Sequence, residues 1–177
     1  APGRMIDTHC HLTFPQLREC VDEVVADARA AGVDRMITVG TTPADVFDAR
    51  DLAGRFDGVY FTAGVHPHYA HQVTAEQLMR LREVADDPRL VAFGEMGLDY
   101  HYPEPPRQVQ QDLFQAQLMA IGATSSALPI VIHCRNAVAD TLAMIRESGL
   151  PGERFVFHCF TEPPEDCRKV LDAGCMV

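Results

Sequence analysis

Apolar residues in this chain fall into short dense runs, and between the runs they recur every three or four positions. The dense runs "MIDTHCHL" (5–12), "DRMITVG" (34–40), "VYFTAGVHP" (59–67), "LVAFGEMGLD" (90–99), "LPIVIHC" (128–134) and "RFVFHCF" (154–160) are predicted strands. The stretches 14–32, 42–56, 74–87, 107–126, 137–149 and 163–174 are predicted helices. Thr42 and Thr74 are placed as N-caps, Pro43 at a first helical position and Gly32 at a helix C-terminus. The closing "CMV" (175–177) reads as the start of a seventh strand.

Strict alternation of strand and helix predicts a parallel sheet with right-handed crossovers, and near-continuous apolar strands predict burial on both faces. The expected architecture is α/β: a TIM-like (β/α) barrel with about six β-α units and its last two strands missing, because a complete eightfold barrel takes roughly 250 residues. Residues 1–177 are expected to form a single domain that lacks the end of the barrel. Its outermost strands would present open edges.

Composition narrows the classes. At 47% hydrophobic and 23% charged residues, the chain is ordinary for a soluble globular protein. A formal net charge of -10 excludes a basic surface that binds nucleic acid by counterion release alone, although cations seated in a site reverse the sign locally. No apolar run is long enough to span a bilayer, and "APGRMIDTHC" is not a signal peptide. The residues before Met5 read as an appended remnant. Six cysteines with no CxxC pair are too few for a disulfide scaffold and read as free thiols of a cytoplasmic protein.

His9 and His11 stand two apart in the first strand, so they point to one side while Cys10 points to the other. His133 and His158 each end an apolar run, at the strand end where barrel sites form, and each is followed by a cysteine. Cys10, Cys134 and Cys159 are then expected to face the helices as small buried hydrophobes. Glu95 sits inside the fourth run, where a buried carboxylate needs a cation or a hydrogen-bond partner. One HxH pair or one strand-end histidine is ordinarily structural. Repetition of ligand types on strands one, four, five and six, at one end, points to shared divalent ions such as zinc, manganese or magnesium. A bridging carboxylate suits the paired ions that hydrolyse phosphate esters.

His66 and His68 share a side at the end of the third run, as substrate contacts or as donors to metal ligands, with a polar rim loop an equal alternative. Arg135, two after His133, is placed to clamp a phosphate oxygen or to pair with Asp140 or Glu95. Asp99 is expected to orient a histidine or a metal water, or simply to cap the loop; Asp7 to support its neighbours rather than bind metal; and His71 and His101 to be ordinary surface residues of loops.

Taken in order, "DTHCHL", "GVHPH", "GEMGLD", "VIHCRNA" and "FHCF" resemble the TatD family of metal-dependent deoxyribonucleases, across essentially the whole chain. Gln110, Phe114 and Gln117 match the family's Q-x-x-x-F-x-x-Q run. The resemblance implies a TIM-like barrel of the amidohydrolase type that cleaves phosphodiester bonds in DNA by a metal-activated water. It implies two divalent metal ions: His9, His11 and Glu95 match ligands of the first, and Glu95, His133 and His158 those of the second. Glu95, His133 and His158 thereby take the catalytic positions, with His66, His68 and Arg135 on the substrate side. DNA ends or single-stranded DNA are the expected partners, and no membrane is. Two departures stand out. The family's aspartate at the end of strand eight, in a motif resembling T-D-S/A-P, has no counterpart, and Asn136 stands where the family usually has an aspartate.

Two other readings share these residues. An amidohydrolase-type lactonase or esterase uses a similar HxH strand, but the sole lysine, Lys169, lies in the last helix, which disfavours the lysine-bridged subtype. A catalytically impaired fragment would act only as a binding module, with open barrel edges available for self-association.

Overall fold

The six apolar runs become six strands that pair in parallel and in chain order: β1 (Met5–Cys10), β2 (Val33–Val39), β3 (Val59–Ala63), β4 (Leu90–Asp99), β5 (Ile130–Arg135) and β6 (Phe155–Phe157). The computed structural model describes residues 5–177, so the reading of the first four residues as a remnant lies outside the described residues. Between the strands run α1 (Pro15–Arg18), α2 (Val21–Ala30), α3 (Pro43–Arg55), α4 (Ala75–Arg80), α5 (Arg107–Gly122) and α6 (Val138–Ser148), and α7 (Pro164–Asp172) follows β6. Right-handed crossovers keep the helices on one face, and the sheet curls into a half-barrel. Alternation along β5 shows the two faces. Ile130, Ile132 and Cys134 are buried, with the Cys134 thiol 3.6 Å from Thr141 Oγ1 on α6, while Val131, His133 and Arg135 alternate onto the concave side. Met176 adds a single parallel bridge to Val156.

Local chemistry sets the helix ends. Thr42 accepts from the Asp45 amide and caps α3. Thr74 and Gln77 exchange two hydrogen bonds in a capping box at α4. Gly32 follows α2 with φ +94°, a conformation open to glycine.

Several expected boundaries move. The stretch 14–32 is two helices, because Cys20 leaves the helical region (φ -122°, ψ 27°) and re-aims Val21 and Val25 into the core. The third strand stops at Ala63 instead of Pro67. Proline has no N–H for a ladder, and Pro67 opens a 3₁₀ turn, Pro67–Gln72. The helix expected over 74–87 ends at Arg80 and tightens into a second 3₁₀ turn, Leu81–Val84. β1 is not buried on both faces: Met5 and Ile6 are 50% and 54% exposed, since β2 is its only strand neighbour among the described residues. The cysteines also differ from expectation. Cys134 is buried, but Cys10 is half-buried with its thiol on the Ile37 carbonyl, and Cys159 is exposed. Strand alternation cannot govern Cys159, because β6 has already ended at Phe157.

Helix α5 ties the strand ends in place. Gln110 and Gln117 lie seven residues apart, two turns along one face, and both are buried. Gln117 accepts from the Val65 amide at 2.8 Å and donates to the Val65 carbonyl at 3.1 Å. Gln110 does the same for Asp99, at 2.7 and 2.8 Å. Each amide acts as a surrogate strand neighbour beyond the point where the ladder stops. Replacing Gln117 by alanine strands two buried backbone groups, which costs on the order of 3 kcal/mol. The expected fall in melting temperature is roughly 6–12 °C, read by calorimetry beside Gln115→Ala on the exposed face of the same helix, which is expected to change stability by about 0.5 kcal/mol or less. Equal melting temperatures for the two variants would remove the clamp.

Candidate metal centre

Glu95 lies in the middle of β4 and is 3% exposed. The backbone around it is specialised. Pairing with β5 shifts register between Phe93 and Met96, and Gly94 and Gly97 adopt φ +109° and +140°. A Cβ on Gly94 or Gly97 would strike the Val131 or His133 carbonyl. One on Gly64, in the neighbouring segment, would strike the backbone of Gly94. Only glycines let three segments close this tightly around the carboxylate.

Imidazoles from four segments meet it. Glu95 Oε1 lies 3.0 Å from His133 Nδ1 and 2.6 Å from His158 Nε2, and Oε2 lies 3.3 Å from His9 Nε2. His66 Nε2 stands 3.7 Å from Oε1. The His9 and His158 rings stack with centroids 4.0 Å apart. His11 completes a trio with His9 and Glu95, and His66 and His133 complete another with the same carboxylate. In each trio the donor atoms lie within 4.8 Å of one another. His11 stacks on Phe14, and its buried Nδ1 has no hydrogen-bond partner among the described residues.

Asp99 forms a second layer. It is 1% exposed, and its Oδ2 lies 2.8 Å from His133 Nε2 and 2.9 Å from His68 Nε2, while Oδ1 accepts from the His101 amide. His133 therefore sits between two carboxylates. Burial alone would lower its pKa, but hydrogen bonds to Glu95 and Asp99 outweigh burial and raise it. Burial would raise Glu95 and Asp99, and both are instead held below the usual carboxylate range by their histidine partners. His66 is pushed down to about 3, by burial first and then by the charge of His133. Burial also lowers His11.

Of the residues singled out from the sequence, His9, His11, His66, His133 and His158 gather on Glu95, and His68 joins through Asp99. Asp7 supports its neighbour, accepting from the His9 amide. Arg135 pairs with neither Asp140 nor Glu95; its guanidinium lies over the Tyr102 ring instead. Asp140 is taken by the Tyr100 hydroxyl and Gln111. Asn136 has φ 53°, a left-handed position that asparagine tolerates better than most residues. Asp99 does orient a histidine, His133, one of the roles the sequence left open for it.

The chain is similar to an uncharacterized metal-dependent hydrolase, YcfH, of Escherichia coli (strain K12), with 39% identity over 173 residues, 96% of this chain and 64% of that protein. It is also similar to the 3'-5' ssDNA/RNA exonuclease TatD of Cronobacter turicensis, with 40% identity over 172 residues, again 96% and 64%. Among solved structures, YJJV, a TatD homolog from Escherichia coli K12, superposes with a TM-score of 0.86 at 28% identity, over 97% of this chain and 66% of that one. The chain spans a little under two thirds of the length of the curated relatives it matches. Residues 6–177 match the family described as TatD related DNase, and the chain belongs to that family.

Proposed function

We propose that this chain carries the metal-binding part of a divalent-cation-dependent hydrolase that cleaves phosphodiester bonds, with single-stranded DNA ends as substrate. One observation carries the reading: a buried strand carboxylate, Glu95, met by imidazoles from four other segments. The donor set fits divalent ions. Each trio of two imidazoles and one carboxylate has its donor atoms near the spacing of ligands around a single ion, and these ligand types suit zinc, manganese or magnesium. His9, His11 and Glu95 would hold one ion; Glu95 and His133 would hold another, with His66 completing the second trio by its donor spacing and His158, 2.6 Å from the same carboxylate oxygen, the third ligand that the family resemblance implies. When bound, the ions supply an acidified water and positive charge against the phosphate. Asp99 accepts from His133 Nε2, fixing the ring so that Nδ1 faces Glu95. His68, on the same aspartate and part exposed, is placed to meet the substrate, and Arg135 adds a permanent positive charge at the rim. The relatives' names agree in kind, one a metal-dependent hydrolase and one an exonuclease on single-stranded DNA and RNA.

With manganese, the chain is expected to shorten a labelled single-stranded oligonucleotide and to stop in EDTA. Glu95→Gln is expected to abolish cleavage and to weaken metal binding by calorimetry more than about a hundredfold, beyond the usual loss for an outer partner. Undiminished metal uptake by Glu95→Gln would end the reading. For Asp99→Asn, metal affinity is expected to fall about 10- to 100-fold with the far-UV circular dichroism unchanged; wild-type affinity would show that Asp99 supports no ligand.

The metal-free chain has a signed pH dependence. His66 and His11, with lowered pKa values, contribute stability that is present above the ordinary imidazole value of 6.5 and lost as pH falls. His133, raised, contributes in the opposite sense, being fully present below 6.5 and lost at higher pH. Glu95 and Asp99 enter only below about 4.5 and 3.8. His66 is pushed down to about 3 and His11 is lowered with it, so in EDTA the melting temperature is expected to fall as pH drops below 6.5. His66→Asn, which keeps an acceptor for the His68 amide, is expected to fall less steeply over that window. Parallel slopes for the two proteins would count against a buried neutral His66.

A further inference from the structure

We propose that Tyr102 and Arg135 form one nucleotide subsite at the mouth of the centre, Tyr102 stacking on a base of a single-stranded nucleic acid and Arg135 pairing with its phosphate. The proposal rests on the nuclease reading above and deepens it. Arg135 at the end of β5 and Arg107 at the start of α5 each lie over a tyrosine. The two pairs are not equivalent. Arg107 lies 4.3 Å from the Tyr100 ring centroid, and the Tyr100 hydroxyl is committed, donating to Asp140 at 2.8 Å and accepting from Gln111 at 2.7 Å. That pair is packing.

Tyr102 is different. It is 49% exposed, and its hydroxyl has no hydrogen bond among the described residues. Its ring is held by perpendicular contacts with His68 and His101, centroids 5.5 and 4.7 Å away, and by the Arg135 guanidinium at 5.6 Å. An aromatic ring that is positioned by its neighbours yet half open to solvent suits a stacking platform for an unpaired base. It also stands next to the centre. From Tyr102 the contacts run to His68, then to Asp99 at 2.9 Å, to His133 at 2.8 Å and to Glu95 at 3.0 Å. Arg135 follows His133 by two residues on the same side of β5. A base on Tyr102 would therefore bring its phosphate toward the Arg135 guanidinium on the side of His133.

The chemistry selects the substrate class. In a duplex the base faces are already stacked, so this platform takes single strands. Stacking also needs no basic surface, which a chain of net charge -10 does not provide. Every base has a π face, so the subsite is expected to tolerate any sequence.

The test measures binding of the 177-residue chain to a phosphorothioate oligothymidylate that resists hydrolysis, with manganese present, beside an abasic strand of the same length. The wild type is expected to favour the strand with bases. Tyr102→Ala is expected to reduce that preference at least about fivefold, and Tyr102→Phe to keep it. Arg135→Gln is expected to weaken both strands alike and to reduce the slope of log affinity against log salt by about 0.7. Unchanged melting temperatures establish that the variants fold. Equal loss on both strands in Tyr102→Ala, no loss at all, or an unchanged salt slope in Arg135→Gln overturns the subsite while leaving the nuclease reading standing. A wild-type chain that neither binds nor shortens any strand overturns both.

Discussion

A carboxylate stays ionised inside a sheet only when hydrogen bonds or opposite charge replace the water it has lost, and this half-barrel is arranged to provide them for Glu95. Three imidazole nitrogens lie within 3.3 Å of its oxygens. Bringing them there requires β4 to run against its neighbours with no side chain at Gly94 or Gly97, and none at Gly64 beside it. The dependence then extends outward. His133 is oriented by Asp99, and Asp99 is held through its own amide and carbonyl by Gln110 on α5. A helix on the outer face therefore sets the position of a carboxylate, which sets a ring, which faces Glu95. Damage at any of these links is felt at the centre.

This chain of dependence explains what the sequence could and could not disclose. Strand-helix alternation was legible because each run had one dominant period, and the Thr42 and Thr74 caps were legible because capping is local. The histidines were legible through strand parity, since His133 and Arg135 had to share a side. Parity fails once a strand ends, which is why Cys159 turned out exposed. It also fails at a register shift, and Glu95 sits in one. The break at Cys20 and the stop at Ala63 depend on how the next element packs, and a single-sequence pattern does not carry that information. Nor does it say that Arg135 would leave Asp140 and Glu95 for a tyrosine ring in the loop after β4.

The two glutamines of α5 show how resemblance and physics divide the work. Their spacing matched a family pattern, but the pattern alone gave no reason for an amide there. The reason is that parallel strands of unequal length leave backbone groups unpaired at their ends, and a buried amide can satisfy a donor and an acceptor on the same residue. A glutamine reaches from the helix layer to the strand end, and neither a shorter nor an apolar side chain can replace both bonds.

The electrostatics of the centre bear on how an acidic protein would meet the anionic substrate proposed for it. Glu95 and Asp99 are held ionised, while His133 is pushed toward its charged form and His11 and His66 away from theirs. Two carboxylates therefore face one raised imidazole, and the metal-free mouth gives a phosphate little attraction. Divalent ions on the proposed ligands reverse that sign locally. Metal and nucleic acid would then bind with positive coupling, and because coupling is reciprocal, the strand would tighten the metal by the same factor as the metal tightens the strand. Stacking on Tyr102 carries no charge and lies outside that coupling. On the proposed reading it would hold the strand by its bases, while the ions would govern whether the phosphate can approach.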